Sequence, residues 1–431
     1  MTRFEPSGPL RGSLRPPSDK SISHRAALIA AMGEGETEVE GYLDAADTRS
    51  TLAAAAALGA RVEGVGAALE ATLRIHGVGL RGPRPAAIDA GNAGTLLRLL
   101  PGWLAGQDGG AWTLDGDDSI RRRPVDRVAI PLREMGAKLS AREDRLPPLE
   151  VTGAPLRGIE YELPVASAQV KSCLLFAGLL ADGPTTIVEP LPTRDHSERM
   201  LAAAGATIEH GDGTVTVYPA ARLEPGTISV PADISSAAFF VVAALLVAGS
   251  EVVLEDIGVN PTRTGLLAIL ERMGATVEVK PLGERGGEPT ARLTVRPQAL
   301  QGVDVGGAEI PLAIDELPLL ALAACFAEGT TTIRDAAELR RKESDRIATV
   351  TAALTALGGE VEATADGMVI AGTGGLRGGA IDSHGDHRIA MLGAVAGLAS
   401  REGVEVRGMD AAAVSYPGFE ADLASLLGAG A

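Results

Sequence analysis

The cations of this chain gather where helices would begin. Ser18-Asp19-Lys20-Ser21-Ile22-Ser23-His24-Arg25 opens an apolar stretch, with Lys20 at its mouth. Ser21 and Arg25 are four residues apart and so share one helical face. Gly91-Asn92-Ala93-Gly94-Thr95 is a small-residue turn into a second apolar stretch, with Arg98 one turn inside. Its glycines let an anion approach the backbone closely, but it lacks the Gly-Lys-Ser/Thr ending of a nucleotide-binding loop. Arg121-Arg122-Arg123-Pro124 is the densest positive run. Arg121 and Arg122 read as solvated charges, and Arg123, held against a rigid proline, is the better ligand candidate. Ser167-Ala168-Gln169-Val170-Lys171-Ser172 starts a third apolar helix, and Arg194-Asp195-His196-Ser197-Glu198-Arg199 follows one strand later.

Three further segments carry charge in the second half. Asp315 precedes the apolar run 317–327, Arg341-Lys342-Glu343-Ser344-Asp345-Arg346 alternates in sign, and Asp382-Ser383-His384-Gly385-Asp386-His387-Arg388 ends in a helix-mouth arginine. Helix N-termini present unpaired N–H groups and a partial positive charge, so cations placed there suit small phosphorylated or carboxylated ligands. Taken singly, each motif has a plainer alternative. Ser167 and Asp315 could be helix caps, and the 341–346 charges could form a solvated helix face. The histidines of 382–388 do not make a metal site, because no second His or Cys cluster supplies the remaining ligands; Arg388 argues for an anion.

Composition narrows the class. Over 431 residues the formal charge is −17, a surface that repels nucleic-acid backbones. Hydrophobic residues make up 45% and aromatics only 3%, so the cores must be built from Ala, Leu, Val and Ile. No stretch approaches the roughly 18 apolar residues that span a bilayer; the longest, residues 239–249, has the length of a core helix. Residues 1–10 have no apolar segment of the secretory kind. Cys173 and Cys325 sit in apolar runs and read as buried reduced thiols, which fits a cytoplasmic protein.

Stepping along the chain reveals the elements that must position these residues. An amphipathic helix ending at glycine, expected in the left-handed conformation that a Cβ would oppose, and followed by a short strand occurs six times, with markers Gly59, Gly136, Gly205, Gly274, Gly358 and Gly428, about 70 residues apart. A second phrase, a short polar opening into an almost wholly apolar helix, alternates with it at Ser18, Asn92, Ser167, Ser235, Asp315 and Asp386. Strand candidates include 186–188, 214–218, 251–254 and 292–295. A helix apolar all round belongs in the middle of a domain. The expected fold is therefore α/β (α+β), with two similar domains of three repeats, each around three buried helices. The first covers 18–229 and the second 1–17 plus 230–431, with residues 10–16 supplying a strand to the second.

Together these motifs resemble the 5-enolpyruvylshikimate-3-phosphate synthases of the shikimate pathway. The match comprises SDKSISHR, GNAGTLLR, RRRPV, SAQVKS, RDHSERM, RKESDR and GDHR, in order from residue 18 to the SYPGF segment at Ser415. The resemblance implies the enolpyruvyl transferase fold, an inside-out αβ barrel in which each domain has three βαβαββ repeats with parallel buried helices, and ligands lie in the interdomain cleft. It implies transfer of the enolpyruvyl group of phosphoenolpyruvate to the 5-hydroxyl of shikimate-3-phosphate, with no metal or organic cofactor. By position it assigns shikimate-3-phosphate to Ser21, Arg25, Ser167, Ala168, Gln169, Arg194, Asp315 and Lys342. It assigns phosphoenolpyruvate to Lys20, Asn92, Gly94, Arg123, Gln169, Arg346 and Arg388.

Chemical reasons support these roles. A secondary hydroxyl needs a general base, for which Asp315 is the candidate. A methylene carbon must gain and lose a proton, for which Glu343 is the candidate, with Lys20 as partner. Val414 departs from the pattern, since some members carry lysine there, and Gly94 leaves room where some members insensitive to glyphosate, which competes with phosphoenolpyruvate, carry alanine, so sensitivity is expected. The rivals are the UDP-N-acetylglucosamine enolpyruvyl transferases, which usually carry a reactive loop cysteine, and a non-catalytic repeat protein that binds phosphorylated metabolites. A cytoplasmic monomer with these two small-molecule substrates, and with neither nucleic-acid nor membrane partners, is expected.

Overall fold

The computed structural model describes residues 1–64 and 71–428. The last three residues of the sixth helix-glycine phrase, 429–431, lie outside the described residues. The chain divides into two compact units. One, the Ser18 unit, comprises Ser18–Pro231 and Glu284–Glu288; the other, the Ala232 unit, comprises Met1–Pro17, Ala232–Gly283 and Pro289–Ala431.

The repeat is clearest in one sheet of the Ser18 unit. Glu160–Glu162 runs parallel to Thr185–Val188, which pairs antiparallel with Thr214–Val217, itself antiparallel to Ile208–Gly211. Helix Ala168–Gly178 joins the two parallel strands, as a parallel crossover requires, and helix His196–Ala203 leads to the closing hairpin. That is one βαβαββ repeat. The same order recurs in Ala87–Asp89, Ala111–Asp115, Leu146–Thr152 and Lys138–Arg142. In the unit's remaining sheet, Glu36–Tyr42 finds its parallel partner in Thr227–Ser229, far along the chain.

The Ala232 unit repeats the plan. Glu251–Gly258 pairs in parallel with Arg11–Leu14, from the start of the chain. Asp304–Val305, Glu328–Ile333, Met368–Thr373 and Glu360–Ala363 make a second four-stranded sheet. The third has three strands among the described residues, in the order Gly379–Asp382, Val404–Arg407 and Thr2–Phe4.

Each unit has its own apolar core. The apolar helices are buried on every side, Ile234–Leu246 from Ile234 through Leu245. Small residues permit such close layering. A Cβ at Gly102, in helix Gly94–Ala105, would lie 2.0 Å from the carbonyl oxygen of Cys173 on helix Ala168–Gly178. Both cysteines are buried, and burial pushes the Cys325 thiol up to about 12 and the Cys173 thiol still higher.

Two expectations need correction. Five marker glycines, Gly59, Gly136, Gly205, Gly274 and Gly358, have positive φ, but Gly428 has φ −83°, in the ordinary helical range. The helix mouths are also less open than a bare N-terminus. Asp19, Ser167, Asp233 and Asp386 each accept a hydrogen bond from a first-turn N–H of the helix they precede. Helices Gly94–Ala105 and Leu317–Cys325 have no such side-chain cap. Carboxylate caps offset much of the positive end, so anion affinity must come chiefly from Lys and Arg. Among the described residues, no helix is long and apolar enough to cross a membrane.

Candidate active site

In the Ala232 unit, Asp315 sits in the turn between helices Glu309–Ala313 and Leu317–Cys325. It is not the cap, a position taken by Glu316. Its carboxylate instead faces cations: Lys342 Nζ at 3.1 Å, Arg346 Nη1 at 3.5 Å and Arg388 Nη2 at 4.0 Å.

The alternating run 341–346 is not a helix face. A 3₁₀ turn, Ala337–Arg341, ends there, and helix Arg346–Ala356 starts only after Asp345, whose side chain accepts from the Ala348 N–H at 3.1 Å. The non-helical residues between are free to turn their side chains inward. Glu343 Oε2 accordingly lies 2.7 Å from Arg346 Nη2. Arg346 is itself 1% exposed and grips Asp386, with Nε to Oδ2 at 2.9 Å. Ser344 Oγ also donates to Asp386, at 2.9 Å.

Burial works against the charge of Arg346, yet Asp386, Glu343 and Asp315 outweigh it and hold the guanidinium protonated. Burial likewise opposes ionisation of Asp386, and Arg346 overrides it, keeping that carboxyl below its ordinary range. The cluster therefore offers acids and cations within a few ångströms, an arrangement fit both to hold an anion and to move a proton.

The Ser18 unit carries the other candidates. Lys20 Nζ pairs with Asp47 Oδ2 at 2.9 Å, with Asp47 the more buried. Ser21 is half-buried on the same helix. Arg25 is turned inward, donating from Nε to Ser197 Oγ at 2.7 Å, from Nη2 to Ser172 Oγ at 3.0 Å and from Nη1 to the Ser21 carbonyl at 2.9 Å. Ser167 caps its helix through the Val170 N–H at 3.4 Å, and Ala168 and Gln169, in the first turn, are half-buried. Arg194, just before helix His196–Ala203, is half-buried too.

A second connected group forms at the uncapped Gly94 helix. Arg123 Nη2 donates to Asn92 Oδ1 at 3.0 Å and Ser119 Oγ at 3.3 Å, and Asn92 Nδ2 donates to Asp117 Oδ2 at 2.7 Å. Arg98 Nη1 donates to Gln169 Oε1 at 2.9 Å, while Gln169 Nε2 donates to Thr95 Oγ1 at 3.2 Å. Arg121 and Arg122 point outward, and Arg123 is 6% exposed. A proline after Arg123 ends the 3₁₀ turn Ile120–Arg122 and sends this one arginine inward.

Some motif residues serve the scaffold. Lys171 lies between Glu189 Oε2 at 2.9 Å and Glu198 Oε1 at 2.6 Å. Tyr416 and Phe419 of the SYPGF segment pack with Phe240, ring centroids 5.5–5.9 Å apart. Val414 closes the 3₁₀ turn Met409–Val414 just before them. Sequence reasoning missed Asp47, Asp386 and Glu316 as partners of the candidate cations. It also missed the group Asp195, His196 and Glu288, whose ligand atoms lie within 4.8 Å of one another among the described residues. There His196 Nδ1 and Glu288 Oε1 are 2.6 Å apart, and Arg199 Nε donates to Asp195 Oδ2 at 2.8 Å. Ninety-two positions separate His196 from Glu288, and no local pattern signals such a pair.

Comparison with known proteins identifies the family. The family model described as EPSP synthase (3-phosphoshikimate 1-carboxyvinyltransferase) matches residues 4–423. The chain belongs to the EPSP synthase family. A 3-phosphoshikimate 1-carboxyvinyltransferase of Desulforudis audaxviator (strain MP104C) is 49% identical over 430 residues, covering 98% of this chain and 99% of the relative. One from Synechococcus sp. (strain JA-3-3Ab) is 50% identical, over 98% and 96%. The solved EPSP synthase of Acinetobacter baumannii superposes with a TM-score of 0.86 at 42% identity, covering 99% of this chain and 98% of that one. At that similarity the two-domain enolpyruvyl transferase fold of EPSP synthase is the fold of this chain.

Proposed function

We propose that this chain transfers the enolpyruvyl group of phosphoenolpyruvate to the 5-hydroxyl of shikimate-3-phosphate, releasing phosphate. The observation that carries the reading is Asp315 held among Lys342, Arg346 and Arg388, with Glu343 on the same Arg346, in a chain with full-length relatives of that activity.

The cluster has the parts for addition followed by elimination. Asp315 takes the proton of the 5-hydroxyl as that oxygen bonds to C2 of phosphoenolpyruvate. The double-bond electrons meanwhile take a proton at C3, delivered by Glu343 with Lys20 as its partner. In the tetrahedral intermediate C2 carries both oxygens. Removal of a C3 proton re-forms the double bond as the C2–O bond to phosphate breaks. Lys20, Asn92, Gly94, Arg123, Gln169, Arg346 and Arg388 hold phosphoenolpyruvate, the arginines balancing carboxylate and phosphate charge as it shifts. Ser21, Arg25, Ser167, Ala168, Gln169, Arg194, Asp315 and Lys342 hold shikimate-3-phosphate. The protein acts as a cytoplasmic monomer.

The burial of both cysteines removes the reactive thiol that the UDP-N-acetylglucosamine transferases use. The test offers phosphoenolpyruvate with each acceptor in turn, with no metal added. Phosphate release that saturates with shikimate-3-phosphate and is absent with UDP-N-acetylglucosamine supports the proposal; the opposite pattern refutes it.

A further inference from the structure

Glu316, the residue after the candidate base, is buried, with 1% exposure. Its Oε1 accepts a hydrogen bond from Ser235 Oγ and lies 3.6 Å from Arg388 Nη1. Its Oε2 is equally enclosed and has no hydrogen-bond partner among the described residues. A buried carboxylate with an unmatched oxygen is costly unless a cation balances it. A cation within ion-pair distance is Arg388, which is 11% exposed and divides its guanidinium between Glu316 and the more distant Asp315.

The hydroxyl behind Glu316 is oriented in turn. Arg263, 3% exposed, donates from Nη2 to Ser235 Oγ at 2.7 Å and to Asp233 Oδ1 at 3.2 Å. Because the Ser235 oxygen already accepts from Arg263, its own proton points at Glu316. Ser235 and Asp233 stand at the first turn of a helix buried on all sides, so this backing is rigid.

We propose that Glu316 is a positioning residue that holds Arg388 toward the phosphoenolpyruvate anion and away from Asp315. This rests on the functional reading above. Two acids compete for one guanidinium. If Glu316 keeps it, Arg388 is not drawn wholly onto Asp315 and presents its other edge to the ligand. The unpartnered Oε2 gives Arg388 a second acceptor when the anion draws it off Asp315, converting a single contact into a two-pronged one.

The experiment compares Glu316→Gln, Arg388→Lys and the double variant by steady-state phosphate release, with each substrate varied in turn. Glu316→Gln keeps the shape and the Ser235 contact but removes the charge. The expected result is a rise of about tenfold in the KM for phosphoenolpyruvate with the KM for shikimate-3-phosphate within about twofold. In the Arg388→Lys background the same substitution should add little, because its effect runs through Arg388. Equal rises in both KM values, or full additivity, would overturn the proposal. If Glu316→Gln does not fold, Glu316→Asp reads the same relationship by withdrawing the charge from Arg388. A wild type that releases no phosphate defeats the functional reading instead, which separates the two failures.

Discussion

Arg346 and Asp386 form a two-pronged pair, Nε to Oδ2 at 2.9 Å and Nη2 to Oδ1 at 3.1 Å, with neither side chain more than 1% exposed. Asp386 caps helix His387–Ala399, and Arg346 opens helix Arg346–Ala356, so one contact locks two helix starts and leaves Arg346 Nη2 beside Glu343. Asp386→Asn keeps the shape and loses the charge. It should destabilise the protein by about 3 kcal/mol, because a buried arginine loses its main counter-ion. Arg346→Met with Asp386→Asn should be less destabilised than the sum of the single variants, measured by denaturant unfolding.

Gly94 has no room for a side chain in its present surroundings. A Cβ there would lie 2.8 Å from Arg123 Nη1 and 3.2 Å from Arg98 Nη1. Both are ends of flexible side chains, so Gly94→Ala should fold and displace Arg123. The expected effect is a rise of roughly five- to tenfold in the KM for phosphoenolpyruvate, with that for shikimate-3-phosphate little changed. Inhibition by glyphosate should weaken in the variant; equal inhibition of both proteins would remove the steric explanation.

His24 sets a pH limit on stability. It is fully buried, with Nδ1 2.6 Å from Thr51 Oγ1, and burial pulls its pKa down to about 3. An unfolded histidine titrates near 6.5, so below that pH the unfolded chain takes up a proton that the folded chain refuses. Stability contributed by this residue should fall as pH drops from about 6.5 toward 3, by up to a few kcal/mol. Melting temperatures of wild type and His24→Asn over that range should converge as the pH falls; parallel curves would contradict the assignment.

Much of this was legible beforehand because it is local. Gly59, Gly136, Gly205, Gly274 and Gly358 each stop a helix with a backbone angle a side chain disfavours, and a helix such as 234–246 announces its burial by lacking a polar face. Arg123 stood apart from Arg121 and Arg122 through the proline beside it. Long-range charge pairing left no such trace. Lys20 finds Asp47 across 27 positions and Arg346 finds Asp386 across 40, and neither aspartate has a neighbour that marks it as a partner. Asp19, just after Ser18, and Asp233, two residues before Ser235, take the cap positions beside the serines that mark these openings, since a carboxylate can cap as well as a hydroxyl can.

Asp315 and Glu343 should separate binding from chemistry. Asp315→Asn and Glu343→Gln preserve size, so shikimate-3-phosphate should bind each within about threefold of wild type, while kcat falls by a factor of about 10² to 10⁴. Calorimetric titration alongside phosphate release makes the comparison. Full turnover in either variant would remove that residue from the catalytic list.

The central claim, that a carbon fragment is transferred through protonation and deprotonation at C3, is most directly tested by running the reaction in deuterium oxide and weighing the product. Deuterium is expected in the vinyl methylene of the product, with one phosphate released per transfer. A product without deuterium, or a phosphorylated acceptor accompanied by pyruvate, would contradict it.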